Sequence, residues 1–307
     1  MILRRLVAIV GPTAAGKSAL ALELAEALGG EIVNADSRQV YRGMDIGTAK
    51  PSPADRARVP HHLFDIAGPD VGYSLALFQR DARAALHEIW ARGAFPWLAG
   101  GTGQYVWGLL EAWNVPEVAP NEALRARLAD FAETEGRASL HELLRELDPV
   151  SAGRIEPNNV RRVIRAIEVT RLTGQPFSEW QVHGDPGFEF HVLGVDLPNE
   201  TLHPRIDARV LEMIDGGFVD EVRELLARGV APTAPAMSSI GYSQVVRHLA
   251  GESTLADAIA ETQRATRQLA RRQRQWFRHG DSRITWVNDP AQARAEVQEF
   301  VRSAVAG

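Results

Sequence analysis

One stretch near the start of the chain constrains the fold more than any other. Residues 11–18 read Gly-Pro-Thr-Ala-Ala-Gly-Lys-Ser, with the apolar run 6–10 before them and a helical pattern over 19–28 after them. Glycine at both ends of such a loop lets successive backbone N–H groups face one anion, and the following helix adds its positive N-terminal end. Residues 11–18 are therefore predicted to be a phosphate-binding loop between a buried parallel strand and a helix.

The chemistry of this loop suits two linked phosphates. Lys17 supplies a mobile charge, and Ser18 supplies a hydroxyl that can ligate Mg²⁺. The alternative is a glycine-punctuated turn with no ligand, which the strand before the loop and the helix after it disfavour. The residues that we expect to bind the phosphates are Gly11, Thr13, Ala14, Ala15, Gly16, Lys17 and Ser18. Nucleotides and isoprenoid diphosphates both present two such phosphates, so the loop leaves both ligand classes open.

Composition excludes several other classes of function. The 307 residues are 45% hydrophobic and 24% charged, which indicates a globular protein with a substantial core and two domains. The absence of cysteine excludes disulfides, thiolate metal sites and a cysteine nucleophile. No stretch approaches the roughly 20 apolar residues of a membrane span, and we predict no export signal. We expect a cytoplasmic monomer that does not bind membranes.

Two further strands end in segments suited to a binding site. Residues 31–35 are a predicted strand that leads into Asp-Ser-Arg-Gln at 36–39, and residues 95–99 are another that leads into Gly-Gly-Thr at 100–102. Open parallel sheets bind ligands at the carboxyl ends of their strands, so we expect Asp36 near the phosphate loop. The second strand lacks the terminal Asp that positions Mg²⁺ in many phosphate-loop NTPases.

The middle of the chain predicts a separate helical domain. Pro116 and Pro120 mark a hinge, and residues 121–182 carry a continuous helical pattern. After residue 187 the pattern returns to a strand and further helices, which predicts that the chain rejoins the sheet. The predicted domains are a phosphate-loop core made of 1–111 and 187–307, and a helical insertion made of 112–186.

A long helix over about 254–278 carries an arginine face. The spacing of its arginines alternates between three and four, which aligns them along one side. These residues are Arg264, Arg267, Arg271, Arg274 and Arg278, with Arg272 beside them. A solvated face is the usual explanation of a charge run, but such faces interleave Glu and Lys, whereas Gln, Trp276 and Phe277 lie between these arginines. Contact with nucleic-acid phosphates and stacking on bases therefore fit better.

Several motifs together resemble one family. Besides the phosphate loop, they are Asp-Ser-Arg-Gln-Val-Tyr, Gly-Met-Asp-Ile-Gly-Thr-Ala-Lys-Pro, Pro-His-His-Leu-Phe-Asp-Ile, Gly-Gly-Thr-Gly-Gln-Tyr and Arg-Gln-Leu-Ala-Arg-Arg-Gln-Arg-Gln-Trp-Phe-Arg. Their order and spacing over nearly the whole chain are similar to those of the bacterial tRNA dimethylallyltransferases. The resemblance implies an α/β fold with a P-loop NTPase-like parallel sheet flanked by helices and a small all-helical insertion. It also implies transfer of a dimethylallyl group from dimethylallyl diphosphate to N6 of adenosine-37, next to the tRNA anticodon, with release of pyrophosphate and with Mg²⁺ as cofactor.

The resemblance assigns roles residue by residue. Arg209 falls on the pyrophosphate-binding arginine and Thr102 on the threonine that contacts the reacting nucleotide, while Asp36 is our candidate for the base that removes a proton from N6. Asp36 as a structural cap or Mg²⁺ ligand, and Thr102 as a helix cap, are the alternatives. The tRNA contacts implied are Asp36, Ser37, Arg38, Gln39, Thr102, Arg125, Arg161, Arg162, Arg165, Gly241, Tyr242, Arg271, Arg272, Arg274, Trp276 and Arg278. Residues 237–242 lack an arginine that some relatives carry there.

Two other functions remain as alternatives. A small-molecule or nucleotide kinase shares the phosphate loop and the sheet, but it has no use for the arginine face. A non-catalytic RNA-binding protein would use the arginines, but it does not need a carboxylate beside a pyrophosphate site. Prenylated RNA as the product would exclude both.

Overall fold

The computed structural model describes residues 4–116, 118–180 and 182–305. The chain divides into two compact units, one made of Met1–Leu110 and Pro186–Gly307 and the other of Glu111–Asp185. The predicted boundaries lie one residue further along the chain. None of the helices in the described residues has the length and apolar character needed to cross a membrane.

The first unit is built on a parallel sheet, which confirms the predicted fold class. Within the described residues its strands are β1 Arg5–Val10, β2 Glu31–Asn34, β3 His61–His62, β4 Pro96–Ala99, β5 Glu189–Gly194 and β6 Ile284–Trp286. They lie in the order β3-β2-β4-β1-β5-β6, and every pairing is parallel. Leu6 to Val10 are fully buried, as expected of a central strand covered on both faces.

Helices cover the sheet and make up the second unit. They are α1 Lys17–Leu28, α2 Pro53–Arg58, α3 Leu75–Ala91, α4 Gly103–Leu110, α5 Glu122–Thr134, α6 Arg137–Leu147, α7 Pro149–Arg154, α8 Val160–Thr173, α9 Asn199–Asp215, α10 Phe218–Ala227, α11 Tyr242–Leu249, α12 Leu255–Trp276 and α13 Pro290–Val305. Short 3₁₀ turns lie at Phe177–Trp180 and Pro235–Ser238. The second unit contains α5 to α8 around its own core, in which Leu140, Leu144 and Ile167 are fully buried.

The local sequence explains where several helices begin or end. Ser74 accepts a hydrogen bond from the Leu77 N–H and so begins α3, as its capping role predicts. Thr254 and Asp257 form a reciprocal capping box at the start of α12. Gly29 follows the last residue of α1 with a positive φ of 79°, which a side chain would strain.

The C-terminal segment differs from the prediction. The sequence pattern makes the helix over 254–278 the last element, but β6 and α13 follow it. In α13, Ala293, Val297 and Val301 are buried against α1 and against the face of β1 that carries Val7 and Ile9. A three-residue strand and an alanine-rich helix give weak periodicity, so their packing against the sheet decides their structure.

Candidate active site

The site lies where the strands of the sheet end. The carboxyl end of β1 enters the phosphate loop, β2 leads to Asp36, and β4 leads to Thr102. Since β4 lies between β2 and β1, its Gly100–Thr102 segment separates the Asp36 segment from the phosphate loop. Asp36 and Thr102 line the same cavity of about 470 Å³ as Thr13 and Ala14 of the phosphate loop, and Arg209 of α9 also lines it. The structure therefore brings together the residues for which the sequence predicts catalytic roles.

The phosphate loop has a backbone conformation that favours glycine at both of its ends. A Cβ on Gly11, at φ 141°, would lie 1.9 Å from the Val195 carbonyl oxygen of the neighbouring chain segment. Gly16 precedes the first residue of α1 with φ 103°, and Ala14 also adopts a positive φ, 63°. The Lys17 ammonium donates to the Pro12 carbonyl across the loop at 2.7 Å. The loop thus stands preformed at the N-terminus of α1, where backbone N–H groups attract anions.

Charge at this edge of the sheet is concentrated around Lys17. The pKa of the Lys17 ammonium is lowered to about 8, chiefly by burial and in part by the charge of Arg209, while the Asp36 and Asp196 carboxylates act to raise it. Burial also lowers the pKa of the Arg209 guanidinium, against the opposing effects of Asp36 and Glu212. Because burial disfavours both charges, an anion bound at the phosphate loop and Arg209 would restore what burial costs the two cations.

Asp36 is held by its own turn. Its backbone N–H donates to the Asn34 side chain at 2.9 Å, and its Oδ1 accepts from the Arg38 N–H at 2.9 Å. This Asx turn uses one carboxylate oxygen. Asp36 is partly exposed in the cavity, so its second oxygen can accept a proton from a bound substrate.

Thr102 is tied to the Asp36 segment. Its Oγ1 accepts from the Ser37 N–H at 3.0 Å and donates to the Ser37 Oγ at 3.3 Å. The side chain is thus engaged by Ser37, while the Thr102 carbonyl accepts from the Tyr105 and Val106 N–H groups at the start of α4 at 2.8 and 3.1 Å. The helix-cap alternative therefore describes the Thr102 backbone and not its hydroxyl. The contact with Ser37 fixes the Thr102 hydroxyl, in the lining of the cavity, relative to the turn that holds Asp36.

The glycines around Thr102 admit helix α12. A Cβ on Gly101 would lie 2.2 Å from the Gln273 amide nitrogen, and one on Gly103 would lie 2.2 Å from Cγ of Trp276. Gln273 is 6% exposed. Its Oε1 accepts from the Thr13 N–H at 2.7 Å, and its Nε2 donates to the Gly101 carbonyl at 3.0 Å. One amide side chain therefore joins the loops that follow β1 and β4.

No sequence pattern singles out Gln273, because it stands among arginines that draw attention to charge. Its hydrogen bond also changes the expected role of one loop residue. Since the Thr13 N–H is already paired with Gln273, its backbone donor serves the loop's own structure. The Ala15 N–H also has a partner within the loop, the Pro12 carbonyl at 3.3 Å, and phosphate binding by the other loop N–H groups stays a prediction.

The motif at residues 43–51 forms a wall of the cavity through Gly47, Thr48 and Ala49. The Glu221 carboxylate on α10 accepts from three consecutive backbone N–H groups, those of residues 45, 46 and 47, at 2.7, 2.7 and 3.2 Å. Gln39 donates to the carbonyls of Thr48 and Ala49 at 3.0 and 3.1 Å. Gln39 thus holds this wall, and its predicted tRNA contact stays a prediction.

Lys50 anchors the end of the same wall. Its buried ammonium donates to the Tyr41 carbonyl and to the Asp45 and Asp65 carboxylates. These partners lie within 15 residues of Lys50 along the chain, whereas Glu221 comes from a distant helix that the sequence does not link to this segment. Together with Glu221, they explain why so polar a segment is ordered.

The arginine face of α12 serves several purposes. Arg272 and Trp276 line the cavity beside Thr102. A second, basic pocket lies along α9, and the α12 arginines that line it are Arg264, Arg267, Arg271 and Arg274. Arg271, Arg272 and Arg278 are exposed, as contact with RNA requires.

Two arginines of this face have acidic partners on other elements. Arg267 pairs with Asp207 at 2.7 Å. Arg274 pairs with the mostly buried Asp196 at 2.8 Å and also donates to the Asn199 side chain at 2.6 Å. No acidic residue lies between Arg264 and Arg278 in the sequence, but two arginines of this face are nevertheless paired with carboxylates from other elements. The predicted tRNA contact of Arg274 has to compete with these bonds.

The predicted tRNA contact of the Tyr242 side chain is wrong. Tyr242 is 0% exposed, its ring packs edge-on against Phe218, and its hydroxyl donates to Glu221 at 2.6 Å. Its burial comes from packing between α10 and α11. Gly241, next to it, does line the cavity, and so do Ser37 and Arg38.

In the insertion, the predicted contacts fall into two groups. Arg125 and Arg165 pair with the fully buried Glu168, Arg125 through two bonds of 2.9 Å and Arg165 through one of 2.6 Å. Glu168 also accepts from the Asn121 N–H at 2.7 Å, so this cluster stabilises the insertion itself. The second group is Arg161 and Arg162, which lie on α8 together with Arg165 and are exposed.

A metal ion would need ligands from the substrate. Among the described residues, no group of three or more His, Cys, Asp or Glu side chains could hold one. Mg²⁺ in phosphate-transfer sites characteristically takes one or two protein ligands, with substrate phosphates and water completing its shell. The exposed Ser18 hydroxyl in the first turn of α1 fits that requirement.

Fold and site together define an α/β enzyme of the phosphate-loop class. It has an anion site, a carboxylate within the same cavity and a basic helix beside them. Comparison with known proteins makes this specific. The family model described as IPP transferase matches residues 39–280, and the one described as Isopentenyl transferase matches residues 4–59. The chain belongs to the tRNA dimethylallyltransferase family.

Individual relatives cover nearly the whole chain. The tRNA dimethylallyltransferase of Roseiflexus sp. (strain RS-1) is 48% identical over 297 residues, which are 97% of each chain. The crystal structure of a full-length tRNA isopentenylpyrophosphate transferase from Bacillus halodurans is 38% identical, with a TM-score of 0.71 over 99% of this chain and 97% of that one. A eukaryotic dimethylallyltransferase acting on tRNA is 26% identical, with a TM-score of 0.76 over 97% of this chain and 77% of that one. The family resemblance seen in the sequence motifs is confirmed.

Proposed function

We propose that this protein transfers the dimethylallyl group of dimethylallyl diphosphate to N6 of adenosine-37 in tRNA and releases pyrophosphate. Membership of the family supports tRNA prenylation. The observation that carries the residue assignment is the single cavity lined by Asp36, Thr102 and Arg209 beside the phosphate loop. We propose that the protein acts as a monomer in the cytoplasm, together with its tRNA substrate.

The proposed chemistry is one displacement with one proton transfer. The N6 lone pair forms a bond to the allylic C1, while the bond between C1 and the diphosphate oxygen breaks and its electron pair leaves with pyrophosphate. The adenine amine is a weak nucleophile because its lone pair is delocalised into the ring. Asp36 therefore takes the N6 proton through the carboxylate oxygen that the Arg38 N–H does not use.

The leaving group gains negative charge, and the site supplies positive charge for it. The phosphate-loop N–H groups, the Lys17 ammonium and the Arg209 guanidinium stabilise the departing pyrophosphate. Both cations are destabilised by burial in the free protein, so a bound diphosphate compensates that cost. Ser18 would hold Mg²⁺, which neutralises part of the diphosphate charge when bound.

The tRNA is proposed to bind through exposed cations and an aromatic side chain. Arg271, Arg272 and Arg278 face solvent on or just after α12, and Trp276 lies at the rim of the cavity. Arginines bind phosphates, and an aromatic ring stacks on an unpaired base. Adenosine-37 lies in the anticodon loop, so turning it out of its stack costs only a few kcal/mol. We propose that Thr102, whose hydroxyl is hydrogen-bonded to Ser37, contacts the turned-out nucleotide.

The test is a tRNA modification assay. Purified protein is incubated with tRNA, Mg²⁺ and either dimethylallyl diphosphate or ATP, and digested tRNA is examined by mass spectrometry. We expect a mass gain of one dimethylallyl group in place of hydrogen at adenosine-37 with the first donor and no phosphorylated product with ATP. Lys17→Ala should abolish the gain. A phosphorylated product, with unmodified tRNA in the first reaction, would support the kinase alternative.

A further inference from the structure

One face of α9 divides the cavity into a charged part and an apolar part. Ile206, Arg209, Val210 and Met213 line the cavity and follow the spacing of a helix face. Arg209 is the charged member of this set. Met213 lies one turn further along α9, about 6 Å away along the helix axis. The charged part of the cavity therefore passes into an apolar part within one helical turn.

Phe218, at the start of α10, closes the apolar part. It is 2% exposed, and its ring packs against Tyr242 with ring centres 4.9 Å apart. A Cβ on Gly47 would lie 2.1 Å from the Phe218 ring, and one on Gly241 would lie 2.9 Å from it. The backbone on both sides thus presses on the ring and fixes it. A wall of this kind cannot recede to admit a longer ligand.

We infer that Val210, Met213 and Phe218 form the subsite for the prenyl chain and limit its length to five carbons. The inference rests on the proposed function, because Arg209 has to hold the diphosphate for the prenyl chain to extend along α9. A dimethylallyl group spans about 5 Å at ordinary bond lengths of ~1.5 Å, which matches the single turn between Arg209 and Met213. A ten-carbon chain would run into Met213 and Phe218.

Met213 is the residue through which this limit can be changed. It is only partly buried, and its unbranched side chain packs at the edge of the hydrophobic cluster around Phe218. Removing the Met213 side chain opens space next to a rigid ring without taking away a central core residue. Leu211 on the same helix is 47% exposed and is absent from the cavity lining, so it supplies a matched control.

The experiment compares dimethylallyl diphosphate with geranyl diphosphate, its ten-carbon homologue, in the wild type, Met213→Ala and Leu211→Ala. Two quantities are measured: kcat/KM for tRNA modification with each donor, and the Kd of each donor by calorimetry without tRNA. In Met213→Ala we expect the ratio of geranyl to dimethylallyl kcat/KM to rise about tenfold or more, since one or two methylenes in an apolar pocket change selectivity by roughly 10–200-fold. In Leu211→Ala the ratio should stay within about twofold of the wild type. In a reciprocal variant, Met213→Phe, affinity for dimethylallyl diphosphate should fall.

The outcomes separate this inference from the proposed function. Equal changes for both donors in Met213→Ala, or an equal change of the ratio in Leu211→Ala, would overturn the subsite. If the wild type binds both donors but prenylates no tRNA, the proposed function fails, and the Kd ratios alone decide the subsite. If the wild type binds neither donor, both fail.

Discussion

Replacing Gln273 should loosen the phosphate loop while leaving every proposed substrate-binding side chain in place. In Gln273→Leu, the Thr13 N–H and the Gly101 carbonyl lose partners at 2.7 and 3.0 Å. A buried polar group left unpaired costs about 1–3 kcal/mol, so the two together would cost roughly 2–6 kcal/mol. Water can enter from the adjacent cavity and replace some of the lost hydrogen bonding, so we expect the free energy of unfolding to fall by about 2–3 kcal/mol.

Most of a domain's roughly 5–15 kcal/mol of stability survives such a loss, so the kinetics of the variant can be measured. The KM for dimethylallyl diphosphate should rise about tenfold, because 1.4 kcal/mol of lost loop order corresponds to that factor. The KM for tRNA should change by less than about threefold. Gln275→Leu, an exposed position on the same helix, should leave both the unfolding free energy and the donor KM unchanged.

Gln273→Glu provides a pH signature. Its carboxylate can still accept from Thr13, but the ionised form faces the Gly101 carbonyl without a proton to donate. Burial then raises the folded-state pKa of the new carboxyl above its unfolded value, so the destabilisation is present above the folded pKa and is relieved as the pH falls through it. Urea unfolding between pH 5 and 8 measures this. Wild-type stability in Gln273→Leu, or a Gln273→Glu cost that is independent of pH, would refute the reasoning.

Three further predictions concern other charged groups. The affinity for dimethylallyl diphosphate should weaken as the pH rises through about 8, because Lys17 loses its proton there, whereas calorimetry on Lys17→Met should show no such dependence. Glu221→Gln should lower the free energy of unfolding by about 2 kcal/mol, because the amide nitrogen that replaces one oxygen is a donor facing backbone donors. The same change at the exposed Glu224 should cost less than about 0.5 kcal/mol. Equal costs would contradict the role of Glu221. Arg271→Met should weaken tRNA binding and reduce its salt slope by about 1. Arg274→Met should chiefly destabilise the fold, by about 2–3 kcal/mol, because the mostly buried Asp196 loses its arginine partner and retains His279 and the Leu197 N–H. Filter binding and urea unfolding would reveal a reversed pattern.

Local signals account for the parts of the fold that the sequence predicts. The helical pattern predicted over 19–28 lies within α1 Lys17–Leu28, because strong periodicity there coincides with glycines at both ends. The phosphate loop and the Asp36 segment are predictable for the same reason, since each follows a short apolar strand. By contrast, β6 and α13 gain their structure from packing against distant strands and helices.

The site shows the same division between local and long-range causes. Asp36, Thr102 and Arg209 are named by motifs, and the structure brings them into one cavity. Gln273 and Glu221 escape prediction, because their importance lies in hydrogen bonds to loops more than 170 residues away. The predicted tRNA contact of Tyr242 fails for a different reason. Tyr242 directly follows Gly241, which lines the cavity, but its position in the sequence does not reveal that its side chain packs inward.

The central claim is that the Asp36 carboxylate removes the N6 proton while the phosphate loop holds the departing diphosphate. Asp36→Asn tests it directly, because asparagine keeps the oxygen that accepts from the Arg38 N–H and replaces the other oxygen with an amide that cannot take a proton. With tRNA and dimethylallyl diphosphate both saturating, the single-turnover rate of prenyl transfer should fall about 10²–10⁴-fold. The Kd of each substrate should stay within about threefold of the wild type. A rate within tenfold of the wild type at full occupancy of both substrates would contradict the account.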